Sequence, residues 1–258
     1  MAHSQQQSHN TVATDGYSED GGKEDLVILV MGATGAGKST FINTVLGQRD
    51  RMPVGRGLTS GTANIDYGVI KLSGRRVFMV DTPGFDDTYR SDVEILQQIA
   101  DWLAGSYHRG LRDGNIIYLH DVSQDRLTAA DRKSLQMVKH LCGNAAWAKV
   151  VLGTTKWDRF ASEKERDKAL KREEELKDKE WKSMIANGSQ VHKFEGTPGS
   201  ALRFINSFLH RYGTAPATIL QIQQELAIDR KSFLKTRAGK FAAAHEPKPW
   251  WRTSCTIQ

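Results

Sequence analysis

Residues 32–39 read GATGAGKS and carry groups that can bind phosphate. They fit the pattern G-x-x-x-x-G-K-[ST], in which glycines let successive backbone N–H groups turn inward around a diphosphate. Lys38 would reach the β- and γ-phosphates, and the Ser39 hydroxyl would ligate Mg²⁺. The alternative is an ordinary glycine-rich turn. The residues predicted to line this phosphate loop are Gly32, Ala33, Thr34, Gly35, Ala36, Gly37, Lys38, Ser39 and Thr40.

Residues 81–84 read DTPG and end the apolar stretch 75–81. Asp81 at such a place can hold Mg²⁺, usually through a water molecule, and the backbone N–H of Gly84 can face a γ-phosphate. On its own, D-x-x-G is typical of a plain turn. Its place after an apolar strand and after the phosphate loop instead favours a sensor of Mg²⁺ and the γ-phosphate.

Residues 155–158 read TKWD and follow another apolar stretch, 149–154. The carboxylate of Asp158 can accept two hydrogen bonds from N1 and the exocyclic amine of guanine, whereas adenine offers no such pair of donors on that edge. Thr155, Lys156 and Asp158 therefore predict binding of GTP rather than ATP, against the alternative of a turn or helix N-cap aspartate. The sequence leaves open whether Trp157 shields the base or only packs.

The elements that must position these motifs alternate between strands and helices from residue 26 onward. Several strand segments are short, β-branched and apolar on both faces, as in a parallel sheet covered by helices. This pattern predicts an α/β fold of three layers, with a doubly wound, mostly parallel sheet whose ligands bind at the carboxyl ends of the strands. The predicted strands are 26–31, 63–71, 75–81, 115–120, 149–154 and 190–194, and the predicted helices are 38–47, 91–108, 128–142, 162–186, 199–212 and 217–236.

Length and composition favour one domain with tails. The chain has 258 residues, of which 39% are hydrophobic, enough for one sizeable core. Residues 1–25 are polar and are predicted to be disordered, and their beginning does not resemble a signal peptide. No apolar run approaches the 18 residues of a membrane span. Two cysteines suit a reducing compartment, so we expect the protein in the cytoplasm.

The C-terminal tail is basic. From Arg230 onward, seven basic residues stand against one acidic residue, and this excess accounts for the formal net charge of +6. The last four residues, CTIQ, fit the C-a-a-X pattern for farnesylation of Cys255. The basic residues of the tail, together with Trp250-Trp251, would supply a second membrane signal.

The sequence leaves open whether helix 217–236 packs on the domain or binds a partner. The basic residues are scattered and no nucleic-acid recognition motif accompanies them, which argues against nucleic acid as a partner.

The three motifs, in this order and at these strand positions, resemble the G domain of regulatory GTPases. The segments VILVMGATGAGKSTFINTVLG and VFMVDTPGFDD are most similar to septin-related and immunity-associated GTPases and to a group of fungal G-domain proteins, over residues 26–212. The resemblance implies a G domain at 26–213 that binds GTP or GDP with Mg²⁺, then a C-terminal helix and tail at 214–258. Residue by residue it implies the phosphate lysine Lys38, the magnesium ligands Ser39 and Asp81, the γ-phosphate contact Gly84, and the guanine clamp of Lys156 and Asp158.

The resemblance also implies contacts from two loops. The first switch loop would supply a magnesium-ligating threonine, Thr62 or alternatively Thr59. A base-contacting loop would lie near Glu195, Gly196 and Thr197, although this segment departs from the Ser-Ala-Lys type of the family. The two switch segments, about 50–62 and 84–92, would order around the γ-phosphate and relax on its loss.

Phe85 and Arg126 bear on catalysis. Ras-like enzymes place a glutamine after the glycine of D-x-x-G to orient the attacking water. A phenyl ring cannot make those hydrogen bonds, so we expect slow hydrolysis. Some of the resembling proteins dimerise across their nucleotide faces and use an arginine after the fourth strand in trans. Arg126 occupies a comparable place, against the alternative of a solvated loop arginine, and nearby His120 suits a structural role equally well.

These inferences predict a slow, Mg²⁺-dependent GTPase that acts as a molecular switch or scaffold. Catalysis would come from positioning and charge neutralisation by Lys38, Thr62, Gly84 and the metal ion rather than from covalent chemistry. Two alternatives stay open. A P-loop ATPase or nucleotide kinase is disfavoured by Asp158 and by the lack of an arginine-rich lid. A non-hydrolysing, GTP-dependent assembly module is favoured by Phe85.

Overall fold

One mixed sheet of six strands organises the computed structural model, which describes residues 25–48, 65–85, 90–111, 113–211 and 218–246. In chain order the strands are β1 (Leu26–Met31), β2 (Asp66–Leu72), β3 (Arg75–Asp81), β4 (Asp113–Asp121), β5 (Val150–Thr155) and β6 (Gln190–Lys193). Their order across the sheet is β2-β3-β1-β4-β5-β6. β2 is antiparallel to β3, and the other neighbouring pairs are parallel.

Helices cover both faces of this sheet. They are α1 (Lys38–Leu46), α2 (Asp92–His108), α3 (Ala129–Cys142), α4 (Glu163–Glu175), α5 (Lys182–Ala186), α6 (Pro198–Leu209), the single turn α7 (Gln221–Gln223) and α8 (Arg237–Ala244). Shorter 3-10 turns lie at Asn144–Lys149, Trp157–Arg159 and Phe233–Lys235, and π turns at Leu176–Glu180 and Gln224–Ile228. α1 and α6 share one apolar layer, whereas α2, α3 and α8 share the layer on the opposite face.

The central strand β1 shows why the chain forms three layers. All six of its residues, LVILVM, are fully buried. Because side chains alternate along a strand, Leu26, Ile28 and Val30 enter the layer with α1 and α6. Val27, Leu29 and Met31 enter the opposite layer. Each such side chain contributes about 1.5–3 kcal/mol by leaving water, so a polar residue on either face of β1 would be costly.

The predicted α/β fold is confirmed. Since β1, β3, β4, β5 and β6 are parallel, their carboxyl ends meet at one edge of the sheet. The phosphate loop, the DTPG segment and the TKWD segment each leave the sheet at this edge. Capping boxes fix the starts of α2, α3 and α4, through Ser91, Thr128 and Ser162.

Two predicted helices differ from the structure. The helix predicted at 162–186 is interrupted by a π turn, in which the N–H of Trp181 bonds to the carbonyl of Leu176 while the indole becomes fully buried. The single helix predicted at 217–236 is wrong. Arg230 has a left-handed φ of 54° that ends the π turn, and Thr236 caps the separate helix α8, which the sequence analysis missed. This C-terminal segment packs on α2 and α3. Of the two possibilities left open by the sequence, the structure therefore shows packing on the domain.

Several sequence predictions fall at or beyond the limits of the described residues. Asp25, assigned to the disordered tail, is instead buried and forms an ion pair with Arg76. Thr59, Thr62 and Cys255 lie outside the described residues, so the switch threonine and farnesylation stay predictions. Among the described helices, none has both the length and the apolar composition needed to cross a membrane.

Candidate nucleotide-binding site

The phosphate loop joins β1 to α1 through glycines in unusual conformations. Gly35 and Gly37 have φ angles of 80° and 91°, values that favour glycine. The side chain of Lys38 is buried, and its Nζ donates to the carbonyl oxygens of Gly32 and Ala33, each at 3.1 Å. The lysine therefore folds back along the loop. Its ammonium group lies where an anion held by the loop would meet a positive charge.

Two oxygen ligands lie side by side next to this loop. The Ser39 hydroxyl donates to Oδ2 of Asp81 at 2.7 Å. Asp81 is the last residue of β3, pairs in register with Val30 of β1, and is fully buried. A hydroxyl and a carboxylate at hydrogen-bond distance are hard oxygen donors of the type that Mg²⁺ prefers. The sheet thus brings together two residues that are 42 positions apart in the chain.

The DTPG segment closes directly on the phosphate loop. A Cβ atom added to Gly84 would lie 2.4 Å from Oγ1 and 2.7 Å from Cα of Thr34. The backbone N–H and the hydroxyl of Thr34 both donate to the carbonyl of Phe85 at 3.3 Å. The ring of Phe85 is only 1% exposed and packs in the apolar layer with α2 and α3. This burial commits the ring to the core.

The TKWD segment is tied to the phosphate loop and to β4. Thr155 Oγ1 donates to the carbonyl of Ala36 at 2.9 Å. Lys156 adopts a left-handed φ of 63°, and its Nζ lies 2.6 Å from Oδ2 of Asp121, the last residue of β4. Burial alone would raise the pKa of Asp121, but hydrogen bonds from Lys156 and Ser123 outweigh it and leave the pKa below its ordinary value. Lys156 thus joins the ends of β4 and β5 through an ionised carboxylate.

Trp157 and Asp158 have opposite environments. The Trp157 indole is 3% exposed, packs with Val122 and Ala169, and donates from Nε1 to Thr154 Oγ1 at 3.0 Å. The question that the sequence left open for Trp157 is therefore decided in favour of packing. Asp158 lies in the turn Trp157–Arg159 and is exposed. Its carboxylate is accessible to a ligand at this edge.

The predicted base-contacting loop follows β6 at the same edge. Gly196 has a left-handed φ of 74° with open space around it. Thr197 caps α6 by accepting from the backbone N–H of Ser200. Glu195 forms exposed ion pairs with Arg203 at 3.2 Å and Arg166 at 3.9 Å. These contacts fix the position of the loop.

His120 and Arg126 follow β4 but differ in their surroundings. His120 is buried, and its Nδ1 lies 3.3 Å from Oδ1 of Asp131 in the first turn of α3, which is the geometry of a structural histidine. Arg126 is exposed. Within the described part of the chain, no hydrogen bond or ion pair engages its guanidinium group.

The sequence analysis missed two residues that organise this edge. Asp121 was assigned no role there, although it pairs with Lys156. Glu173 was also assigned no role, but its side chain is only 1% exposed and accepts from Thr154 at 2.8 Å. A signal was present, because Glu173 falls four residues after Ala169 and three before Leu176, on the apolar stripe of its helix.

A family comparison agrees with this arrangement. The model described as the AIG1 family matches residues 26–186, more than half of the chain. The chain belongs to the AIG1 family. The matched AIG1 region begins at β1 and ends with α5, so it contains all three motifs.

Curated relatives of this AIG1 protein are similar over part of their length. Translocase of chloroplast 90 of Arabidopsis thaliana is 30% identical over 134 residues, 50% of this chain and 16% of the relative. GTPase Era of Treponema denticola is 28% identical over 100 residues, 38% of this chain and 31% of the relative. The AIG1 chain thus spans about a sixth to a third of the length of the curated relatives it matches.

Solved structures share the fold of this AIG1 protein. A dimerization-deficient mutant of Toc33 from Arabidopsis thaliana has a TM-score of 0.58 and 14% identity, covering 76% of this chain and 88% of that chain. Toc33 in complex with Mg²⁺ and GMPPNP has a TM-score of 0.52 and 19% identity, covering 67% and 72%. At these identities, the likeness concerns the fold.

Proposed function

We propose that this protein binds GTP with Mg²⁺ and hydrolyses it slowly to GDP and phosphate, acting as a molecular switch or scaffold. One observation carries the proposal. The buried Lys38 ammonium, the pair formed by Ser39 and Asp81, and the exposed Asp158 converge on one edge of the sheet. The names of two relatives fit, because Era is called a GTPase and a Toc33 structure contains Mg²⁺ and the nucleotide analogue GMPPNP.

Each part of the site has a separate task. The phosphate loop and the Lys38 ammonium would hold the β- and γ-phosphates, and the N–H of Gly84 would sense the γ-phosphate from the closely packed segment beside Thr34. The Asp158 carboxylate would accept hydrogen bonds from N1 and the exocyclic amine of guanine. No side chain here is required to form a covalent intermediate, since phosphoryl transfer is catalysed mainly by positioning and charge stabilisation.

The residues present fit a magnesium ion. Ser39 and Asp81 offer a hydroxyl and a fully buried carboxylate 2.7 Å apart, and both are ligand types that Mg²⁺ prefers. Thr62, or alternatively Thr59, would add a ligand from the first switch loop. When bound, the ion would neutralise charge on the β- and γ-phosphates.

Hydrolysis would depend on a second copy of the chain. The buried ring of Phe85 leaves the position after D-x-x-G without a group that can orient water. Arg126 is exposed and follows the carboxyl end of β4 by five residues, and we propose that it reaches the nucleotide of a facing copy. A neighbour of the same fold, Toc33, has a structure described as a dimerization-deficient mutant. We also propose that, within the GTPases, this chain is related most specifically to the septin-related and fungal G-domain proteins that its motifs resemble.

The burial of Phe85 also favours a second candidate, a GTP-dependent assembly module that does not hydrolyse its nucleotide. The two candidates share the site and differ in phosphate release. If the protein dimerises with GTP but releases no phosphate at high protein concentration, the assembly module would be the correct function and the GTPase would not.

The test is a titration of GTP and ATP, each with Mg²⁺, into the wild type and Asp158→Asn. We expect GTP to bind at least about tenfold more tightly than ATP, because hydrogen bonds to a charged group contribute about 1.5–3 kcal/mol each. Asp158→Asn should remove this preference and leave ATP binding unchanged. Asp167→Asn, which changes an exposed aspartate of α4, is the control. Equal affinities of the wild type for both nucleotides would refute the guanine site.

A further inference from the structure

A buried carboxylate lies in the last turn of α4. Oε1 of Glu173 accepts from Thr154 Oγ1 at 2.8 Å, and Oε2 lies 3.1 Å from Nζ of Lys193 and 3.4 Å from Nζ of Lys177. Burying a carboxylate is costly unless cations and donors replace its water. Here two ammonium groups and one hydroxyl do so. The Glu173 carboxylate is therefore buried and held by three polar partners, and it does not belong to the solvent-exposed face of its helix.

The hydrogen bonds around Glu173 run in one direction. The indole Nε1–H of Trp157 can only donate, and an ionised carboxylate can only accept. The single proton of the Thr154 hydroxyl must then go to Glu173, while its oxygen accepts from Trp157 at 3.0 Å. The chain from Trp157 through Thr154 to Glu173 anchors the indole. Asp158 is the next residue after that anchor.

The same carboxylate also reaches the neighbouring strand end. Lys193 is the last residue of β6 and pairs in register with Thr154 of β5. Its Nζ contacts Glu173 and lies 4.5 Å from the ring centroid of Trp157, within the range of a cation–π interaction. The loop that contains Gly196 begins shortly after Lys193. Glu173 thus joins the ends of β5 and β6, and each of these ends leads into a segment proposed to contact the base.

We propose that Glu173 is a positioning residue for recognition of the guanine base. It holds Trp157 and Lys193 so that Asp158 and the loop near Gly196 face the same ligand. The inference rests on the proposed function, because it assigns the base specificity of the same site. The hydrogen bonds and ion pairs of Glu173 involve none of the phosphate-loop residues. In this proposal Glu173 therefore affects the preference for the base, whereas Lys38 binds the phosphates.

The experiment measures dissociation constants of GTP and ATP, each with Mg²⁺, for the wild type and Glu173→Gln. Glutamine keeps the size of the side chain and an acceptor for Thr154 but removes the negative charge that faces Lys193 and Lys177. We expect the affinity for GTP to fall at least about fivefold and that for ATP to change less than about twofold. A merely structural role would change thermal stability without changing this ratio.

The matched control is Glu174→Gln. Glu174 is the adjacent residue of α4, with a side chain that is 63% exposed and a surface pair with Lys177 at 2.8 Å, and its replacement should leave the ratio unchanged. Trp157→Phe provides a second route, because it removes the Nε1–H donor and keeps a smaller aromatic ring. It should reduce the preference for GTP, and the double variant should lose no more than the larger single loss, since the two act in one network.

The outcomes separate the two proposals. If the wild type prefers GTP and both Glu173→Gln and Trp157→Phe keep the full preference, the role of Glu173 is refuted while the proposed function stands. If the wild type shows no preference, the proposed function fails and the role of Glu173 fails with it. If Glu173→Gln does not fold, Trp157→Phe decides by the same ratio.

Discussion

At the scale of single residues, the site depends on close packing between two motifs. Gly84 lies so near Thr34 that a Cβ would approach its backbone N at 2.8 Å and its Cα at 2.7 Å. Both are backbone atoms and cannot rotate away, so even one methyl group would force the segments apart. The identity of residue 84 is therefore set by the distance between β3 and the phosphate loop as well as by its proposed contact with the γ-phosphate.

Gly84→Ala tests this contact. The methyl group should displace the segment that bonds to Thr34 and move the N–H of residue 84 away from the γ-phosphate. We expect the affinity for GMPPNP to fall about tenfold, or about 1.4 kcal/mol, and that for GDP to change less than about threefold. Gly199→Ala, at a glycine of α6 with open space around it, is the control. A Gly84→Ala variant that binds GMPPNP like the wild type would contradict the proposed role.

At the scale of elements, α8 is held on α3 by a contact that requires a neutral histidine. Arg237 Nε donates to Nδ1 of His140 at 3.1 Å, and the ring of Phe241 stacks on His140 at 4.3 Å. A guanidinium group can only donate, so Nδ1 must carry its lone pair. Burial, Arg237 and His245 together lower the pKa of His140 from its ordinary value of 6.5.

This arrangement predicts a pH dependence of stability. Because the pKa of His140 is lower in the folded state, the unfolded chain takes up the proton first as the pH falls. The stabilisation is therefore complete above about pH 6.5 and is lost as the pH falls through the folded pKa. The free energy of unfolding, measured in urea at pH 7.5 and 5.5, should decrease less in His140→Asn than in the wild type. The pKa of His192 is also lowered, by burial and by Arg203, so some decrease should persist.

The control for this pH dependence is His210→Asn, which changes an exposed histidine at the end of α6. It should keep the wild-type decrease between the two pH values. An identical decrease in His140→Asn and the wild type would show that the contact between α3 and α8 does not titrate in this range.

At the scale of the whole molecule, the proposed activity requires two copies. Specific GTPase activity should rise with protein concentration as dimers form, and Arg126→Ala should lower turnover at high concentration at least about tenfold, because an arginine supplied in trans stabilises the charge of the transition state. Arg109→Ala is the control. Arg109 is exposed at the end of α2, which leads to the amino end of β4 and so to the opposite edge of the sheet. If the turnover and the sedimentation of Arg126→Ala both match the wild type, Arg126 does not act on the nucleotide of the partner copy.

Sequence alone predicted the candidate nucleotide-binding site and determined the class of fold. The spacing of glycines before Lys38, and the runs of apolar residues that end in Asp81 and in TKWD, are local features. Local features predict strand, loop and helix because each depends on residues that are neighbours in the chain. The α/β fold and most strand and helix positions followed from them.

Tertiary structure decided which residues support the motifs. The buried position of Glu173, the pair between Lys156 and Asp121, and the packing of Trp157 depend on contacts between separate elements. The sequence 217–236 has helical periodicity, yet residues 218–236 follow the surface of α2 and α3 and break into short turns before α8. Local periodicity could not reveal this, because packing against a distant surface outweighs propensities that amount to less than about 1 kcal/mol per residue.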